Sequence, residues 1–334
     1  MFFRNKKILV IGGTGTIGKS IVKLILQEDP KVIRIFSRDE YKQFELQNEV
    51  NGNSKLRYLI GDIRDYDRVS DAMEDMDYVF HTAAMKHVSF CEYNPFEAVL
   101  TNIVGTYNVI KAAKQQNVQK VVFTSTDKAI SPTNNYGATK LSAEKLISSA
   151  EYLKGSGTTV FCTVRFGNVM GSRGSVIPLF VKQVREGKAI TVTDLSMTRF
   201  MMTLEQATKL TIQSLQIAKG GETFILKMPV IKLKDLAEIV VEETPKKYGL
   251  DPSAVEIVEI GLKPGEKRYE ELMTYDESLI AYELPHLYIV PSPFAPKKLY
   301  GKASRAEPGT YSSEGAIPLT KEQVRKLTIE QNLI

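Results

Sequence analysis

Through its first half the chain alternates short apolar, β-rich runs with longer stretches whose apolar residues recur at helical spacing. The runs are Lys7 to Ile11, Val32 to Phe36, Leu56 to Ile60, Tyr78 to His81, Val121 to Phe123 and Thr159 to Val164. Between them Ile17, Ile21, Leu24 and Ile25 mark one helical face, and Asp65 to Met73, Phe96 to Gln115 and Gly137 to Leu153 read as helices. Strand and helix in strict alternation build a parallel sheet covered on both faces, with right-handed crossovers. The predicted fold is therefore α/β, a doubly wound parallel sheet of Rossmann type over residues 1–167.

After Gly167 the rhythm changes. A Gly/Ser/Arg loop precedes a helix at Ile177 to Glu186, a strand at Ala189 to Thr193, a strand at Phe224 to Lys227, a helix at Leu233 to Glu242 and a strand at Val255 to Ile260. Residues 168–334 read mainly as a smaller substrate domain, with parts of 195–230 free to rejoin the first. The stretch Pro291 to Gly315 is rich in Pro, Ser and Gly and is expected to lack regular structure. Thr320 and Gln323 form a capping-box pattern for a last helix.

Gly12, Gly15 and Gly18 follow the first strand and open the first helix. Missing side chains there permit a tight turn and close approach of backbone to a pyrophosphate, whose charge suits a helix N-terminus. The loop residues Gly12, Thr14, Gly15, Thr16, Ile17 and Gly18 are thus the expected dinucleotide contacts. Gly13 to Ser20 also matches the G-x-x-x-x-G-K-S phosphate-loop pattern, but no magnesium-binding aspartate ends an apolar strand in the way a nucleotide triphosphatase needs. At the second strand's tip Ser37, Arg38 and Lys42 suit the 2′-phosphate of NADP, whereas Asp39 keeps NAD open. Asp62, at the end of the third strand, is placed to accept from an adenine amino group or to cap its own turn.

The stretch Ser125 to Lys140 leaves the fifth strand, crosses a polar loop and enters a helix, so its side chains belong at the carboxyl edge of the sheet, where open α/β folds bind ligands. Tyr136 and Lys140 are spaced i, i+4 and share one helical face. A phenol titrates near ~10, and an adjacent ammonium favours its phenolate, which makes Tyr136 a candidate base. Thr126, Asp127 and Lys128 enter the same cleft. Adjacent Asp127 and Lys128 are either a surface turn with a local ion pair or a second acid/base pair, and for Lys128 to act as a base it must spend time neutral.

Composition narrows the class. The 334 residues carry a net charge of +5, 43% hydrophobic and 25% charged residues, a globular balance with only a mild basic excess and no nucleic-acid footprint. Cys91 and Cys162 are too few for a disulfide framework, and His81, His87 and His286 have no ligand spacing, so no metal site is expected. The start has no long apolar h-region and no segment reaches the ~18 apolar residues of a membrane span. A cytoplasmic location, with no membrane or nucleic-acid partner, is the expectation.

Together the glycine loop, Ala83-Ala84 and the Tyr136/Lys140 pair resemble the extended short-chain dehydrogenase/reductase superfamily. Within it, AAMKHV, STDKA, NNYGATK, RFGNVMGSRGSVIP, MTRF and KPGEK are similar to strings of UDP-N-acetylglucosamine 4,6-dehydratases, especially the inverting enzymes of pseudaminic acid biosynthesis. The resemblance implies a UDP-sugar substrate, a tightly bound NADP and assembly into a homo-oligomer. It implies that Tyr136 takes the proton of the carbon 4 hydroxyl with Thr126 sharing the hydrogen bond, and that Lys140 holds the nicotinamide ribose. Lys128 then removes the carbon 5 proton, Asp127 protonates the departing carbon 6 hydroxyl, and hydride returns to carbon 6. Ile63, Ala83, Ala84 and Lys86 join the cofactor contacts; Lys86, His87, Asn168, Arg173, Ser175, Arg199, Glu266 and Lys267 are the implied substrate contacts. Phe200-Met201-Met202 and KRYEE depart from the family strings and bear on the sugar pocket. Tyr136 stands where relatives that retain carbon 5 often carry methionine, which favours inversion. Retaining dehydration, a 4-epimerase or reductase of the same superfamily, and a cofactor-sensing binding protein are the alternatives.

Overall fold

The computed structural model describes residues 1–251, 255–293, 300–301 and 303–334. The first half builds β1 (Lys7–Ile11), α1 (Thr16–Leu26), β2 (Val32–Ser37), α2 (Glu40–Glu49), β3 (Leu56–Ile60), α3 (Tyr66–Met73) and β4 (Tyr78–His81). Then come α4 (Val88–Tyr93), α5 (Pro95–Val99), α6 (Gly105–Gln115), β5 (Lys120–Thr124), α7 (Asn135–Tyr152) and β6 (Val160–Arg165). The second half adds β7 (Asn168–Val169), α8 (Val176–Arg185), β8 (Ile190–Val192), β9 (Thr198–Met202), α9 (Leu204–Ile217), β10 (Thr223–Leu226), β11 (Val230–Lys232) and α10 (Leu233–Tyr248). It closes with β12 (Ile257–Glu259), β13 (Glu271–Met273), α11 (Tyr275–Ile280), β14 (Tyr282–Leu284), β15 (Leu287–Val290), β16 (Ser304–Arg305), β17 (Tyr311–Ser312) and α12 (Lys321–Glu330).

The main sheet runs β16-β14-β15-β10-β6-β5-β4-β1-β2-β3. It is parallel from β3 to β10 and turns antiparallel at β15. Successive residues of a strand point to opposite faces, so the continuous apolar runs supply two cores at once. Ile8, Val10, Ile33, Ile35 and Phe80 pack on one face, and Leu9, Ile11, Phe36, Val79 and Phe123 on the other. A third cluster, from Ile177, Phe180, Ile231, Leu236 and Val240, ties α8 to α10. No helix among the described residues is long and apolar enough to cross a membrane.

The second half contributes to the Rossmann layer through β10, which pairs parallel with β6, and through α9, which lies beside α1 and against β5 and β6. The helix expected over Phe96 to Gln115 is interrupted by a π turn at Leu100–Val104. Its wide turn places buried Asn102 so that Oδ1 accepts from Met85 N at 2.8 Å and Nδ2 donates to Met85 O at 3.0 Å, clamping the loop after β4. α10 runs past its expected end to Tyr248, through Pro245, and stops at Gly249 with φ 67°. The stretch expected to lack structure instead holds β16 and β17, because β14 and β13 offer them backbone partners; residues 294–299 and 302 fall outside the described residues. The strand expected at Val255 to Ile260 is shorter, at β12, and pairs parallel with β8. Gln323 N donates to Thr320 Oγ1 at 3.3 Å and Thr320 N to Gln323 Oε1 at 2.8 Å, closing the last capping box.

Candidate active site

Strand order reverses between β4 and β1, and the crevice there opens into a cleft of about 780 Å³ along the carboxyl edge of the sheet. One end is built by the loop from β1 to α1. Gly12 has φ 78°, and a Cβ on it would lie 2.7 Å from Ala83 N; a Cβ on Gly18 would lie 2.4 Å from Gly12 O. The turn is therefore pressed against both the neighbouring strand and its own helix. Gly15 caps α1 without a side-chain bond, and no acid stands in the first turn, so the helix N-terminus faces the cleft with donors suited to a pyrophosphate. The residues present fit a dinucleotide. Lys19, the lysine of the phosphate-loop pattern, is instead tied to Glu49 Oε1 at 2.6 Å.

Thr14, Thr16, Ile17, Ser37, Arg38, Lys42, Asp62, Ile63, Ala83 and Ala84 all line this cleft. Asp39 caps α2 by accepting from Lys42 N at 3.0 Å and pairs with the Lys42 ammonium. Asp62 accepts from Arg64 N and Nε, each at 3.0 Å, so the local-cap reading of this carboxylate is realised.

At the other end stand the loop after β5 and the start of α7. Asn134 caps that helix by accepting from Gly137 N at 2.8 Å, and a Cβ on Gly137 would lie 2.0 Å from Lys128 O. That close approach lets the Tyr136 phenol hydrogen-bond Thr126. Thr126 Oγ1 in turn donates to Asp127 Oδ1 at 2.9 Å. Thr126, Lys128 and Tyr136 line the cleft; buried Asp127 and Lys140 lie outside its lining.

Two expectations about charge need correction. Lys140 Nζ donates to Thr124 O at 2.6 Å and sits 3.9 Å over the Phe123 ring; burial pushes its amine down to about 7. Burial pushes the Tyr136 phenol up to about 12, eased by the Thr126 hydrogen bond and then by the charge of Lys128. The cation acting on the phenol here is thus Lys128. For Lys128 to act as a base it must spend time neutral; burial favours that form, but Asp127 Oδ1 at 3.0 Å and Glu270 Oε1 at 3.2 Å outweigh it and hold the ammonium charged. Glu270 is the first acid of the KRYEE string, whose spacing alone gives it no role.

The implied substrate contacts divide. Lys86, His87, Asn168, Arg173 and Ser175 line the cleft. Lys86 Nζ donates to Arg173 O at 2.8 Å, and Arg173 Nη2 donates to Thr14 O at 3.0 Å, so Arg173 straps the glycine loop at the cofactor end. Arg199, Glu266 and Lys267 are not among the residues lining the cleft. Arg199 spends its guanidinium on the carbonyls of Thr198, Lys267 and Arg268; Lys267 Nζ donates to Ile130 O at 2.9 Å; Glu266 accepts from Lys263 N at 3.3 Å. Ser125 and Ser175, both on the cleft wall, each carry a buried hydroxyl with no partner among the described residues. Phe166 also lines the cleft, and neither it nor Ser125 has an individual role in the sequence, where a lone hydroxyl or ring carries no spacing signal.

The sequence profile of the polysaccharide biosynthesis protein family matches residues 8–292. The chain is 48% identical over 98% of its length, and 97% of the other chain, to a protein of Methanocaldococcus jannaschii named as an uncharacterized membrane protein. It is 44% identical to an inverting UDP-N-acetylglucosamine 4,6-dehydratase of Campylobacter jejuni, covering 86% of this chain and 83% of that one. A UDP-glucose 4-epimerase of Rickettsia bellii is 38% identical over 99% and 98% of the two chains. The X-ray structure of Pen from Bacillus thuringiensis superposes with a TM-score of 0.95 at 66% identity over the whole of both chains. By these matches the chain belongs to the polysaccharide biosynthesis protein family.

Proposed function

We propose that the chain is a UDP-N-acetylglucosamine 4,6-dehydratase that forms a UDP-4-keto-6-deoxy-hexosamine and water, with inversion at carbon 5. The observation that carries this reading is the Asp127–Lys128 pair seated next to the Tyr136–Thr126 hydrogen bond. Epimerisation at carbon 4 requires one base; removing water across carbons 5 and 6 requires a second acid and base. When bound, NADP supplies the acceptor for hydride from carbon 4 and the donor of hydride to carbon 6.

Tyr136 takes the carbon 4 hydroxyl proton. A hydrogen-bonded route leads from its phenol through Thr126 to Asp127, whose Oδ2 has no partner among the described residues. Asp127 then donates that proton to the departing carbon 6 hydroxyl, so it leaves as water. Reaching the substrate requires Asp127 to come forward from its buried position beside Gly167. Lys128, on the cleft wall, handles the carbon 5 proton, made acidic by the neighbouring ketone. Lys140, bonded to Thr124 O outside the cleft lining, is the residue assigned to the nicotinamide ribose.

Arg38 and Lys42 on the rim, with Asp39 engaged by its own helix, favour NADP over NAD. The inverted keto sugar is the class of intermediate that pseudaminic acid biosynthesis consumes. Exposed Phe90, Tyr93, Phe96 and Tyr107 support self-association, which sedimentation velocity checks. The epimerase reading keeps the support of the Rickettsia relative and is separated by one experiment. Purified protein is incubated with UDP-N-acetylglucosamine in deuterium oxide without added reductant, and the sugar is followed by proton NMR. A methyl signal with deuterium at carbon 5 and ring couplings of the inverted sugar is expected. An epimer that keeps its carbon 6 hydroxyl, or unchanged sugar, refutes the dehydratase reading.

A further inference from the structure

Lys128 poses a problem for any mechanism that uses it as a base, because the structure holds it as an ammonium. An ammonium has no lone pair, so it can take a proton only by giving one up. Of its two anionic neighbours, Asp127 is linked to Thr126 and is needed as the acid. Glu270 is the other. Glu270 is 2% exposed, its Oε1 lies 3.2 Å from Lys128 Nζ, and its Oε2 has no partner among the described residues. Its backbone is pinned on both sides: Glu270 N donates to Ser313 Oγ at 3.0 Å, and Ser313 N donates to Glu270 O at 2.9 Å. A surface ion pair needs neither this burial nor this anchoring.

We propose that Glu270 is the proton acceptor behind Lys128: as Lys128 takes the carbon 5 proton, it passes one of its own to Glu270. This rests on the dehydratase reading. The balance closes without solvent. The carbon 5 C–H bond breaks and its electron pair expels the carbon 6 hydroxyl, which leaves with the proton held by Asp127. Lys128 ends the step as an ammonium again and Glu270 as a neutral acid. When hydride reaches carbon 6, Glu270 returns its proton to Lys128, and Lys128 protonates carbon 5 after the planar enone has turned its opposite face to the ammonium, which inverts that carbon. Glu270 acts through Lys128 and does not touch the sugar.

The charged and titratable groups around the pair support this. Lys128, Asp127 and Arg199 act on Glu270, and Tyr136 is coupled to the same cluster through Lys128 and Asp127. With both carboxylates ionised, Lys128 and Arg199 balance them. Burial raises the Glu270 carboxyl above the ordinary range, with Lys128 and Arg199 working against it and Asp127 with it, so its carboxylate is a better acceptor than an exposed one.

The test uses the full-length protein with its bound cofactor. Removing general-base assistance costs about 10²–10⁴-fold. Glu270→Gln is therefore expected to slow both methyl formation and deuterium entry at carbon 5 by at least ~100-fold, while reduced cofactor still forms on mixing with UDP-sugar. Glu270→Asp keeps an acceptor and is expected to recover part of the rate, and formate is expected to rescue Glu270→Ala, which a merely structural role would not permit. Below the Glu270 midpoint the wild-type rate is expected to fall about tenfold per pH unit. Wild-type exchange at carbon 5 in Glu270→Gln, or a Glu270→Ala variant that folds but ignores formate, overturns the proposal and leaves the dehydratase reading standing. Wild-type protein that forms no 6-deoxy sugar overturns both.

Discussion

Replacing Gly18 by alanine places a methyl carbon 2.4 Å from Gly12 O and 2.7 Å from Gly13 Cα. Both obstacles are backbone, so no side chain can rotate away. Ordinary carbon contacts lie near ~3.5–4.0 Å, and α1 and the turn must part by about 1 Å to restore them. Overpacking of this kind costs about 1–3 kcal/mol, and contact with backbone puts Gly18→Ala at the upper end. The better helix propensity of alanine returns at most about 1 kcal/mol, leaving a net loss of about 2 kcal/mol. Gly15→Ala is the control: its Cβ meets only Gly12 O, at 3.1 Å, and Gly15 has φ −76°. It is expected to lose less than about 1 kcal/mol, yet to weaken NADP because its methyl enters the space against the pyrophosphate. Urea unfolding of the cofactor-free variants measures the first effect and fluorescence titration with NADP the second. Equal stability losses for the two variants, or a neutral Gly18→Ala, refute the reasoning.

Other outcomes follow from the same geometry. Arg165 is buried on β6 and bonds Glu144 through Nε at 3.1 Å and Nη2 at 2.6 Å, and Glu277 through Nη1 at 2.9 Å; Arg165→Met should cost about 3–5 kcal/mol in urea unfolding, and adding Glu144→Gln and Glu277→Gln should recover most of it. Lys140 loses its proton near pH 7 in the folded, cofactor-free chain against 10.5 as its ordinary value, so between these the unfolded chain binds the extra proton and stability rises with pH. Lys140→Met should therefore flatten the difference in unfolding free energy between pH 7 and pH 10; an unchanged difference counts against the burial argument. Arg38→Ala with Lys42→Ala should weaken NADP at least ~10-fold relative to NAD, measured as the ratio of the two Kd values; an unchanged ratio assigns the 2′-phosphate to other residues.

What was legible was whatever a short period carries. The six parallel strands, the glycine turn and the i, i+4 pair of Tyr136 and Lys140 are local patterns, and each maps onto the fold within a residue or two. α9 was legible too, since Thr203 and Gln206 form a capping box, but it went unread among shorter elements. The π turn at Leu100–Val104 was not, because it answers to a contact between Asn102 and Met85 that no spacing announces.

The sequence by itself determined the α/β class, the cleft at the sheet's carboxyl edge and the residue types that chemistry there requires, since period and turn chemistry are properties of neighbours along the chain. Tertiary structure alone decided the charge states. It brought Glu270 to Lys128 across a separation that no local rule spans, turned Arg199 and Lys267 onto backbone carbonyls, and sank Lys140 against Phe123 and Thr124. Burial and opposing charge set which groups hold protons, and both arise only when distant segments meet.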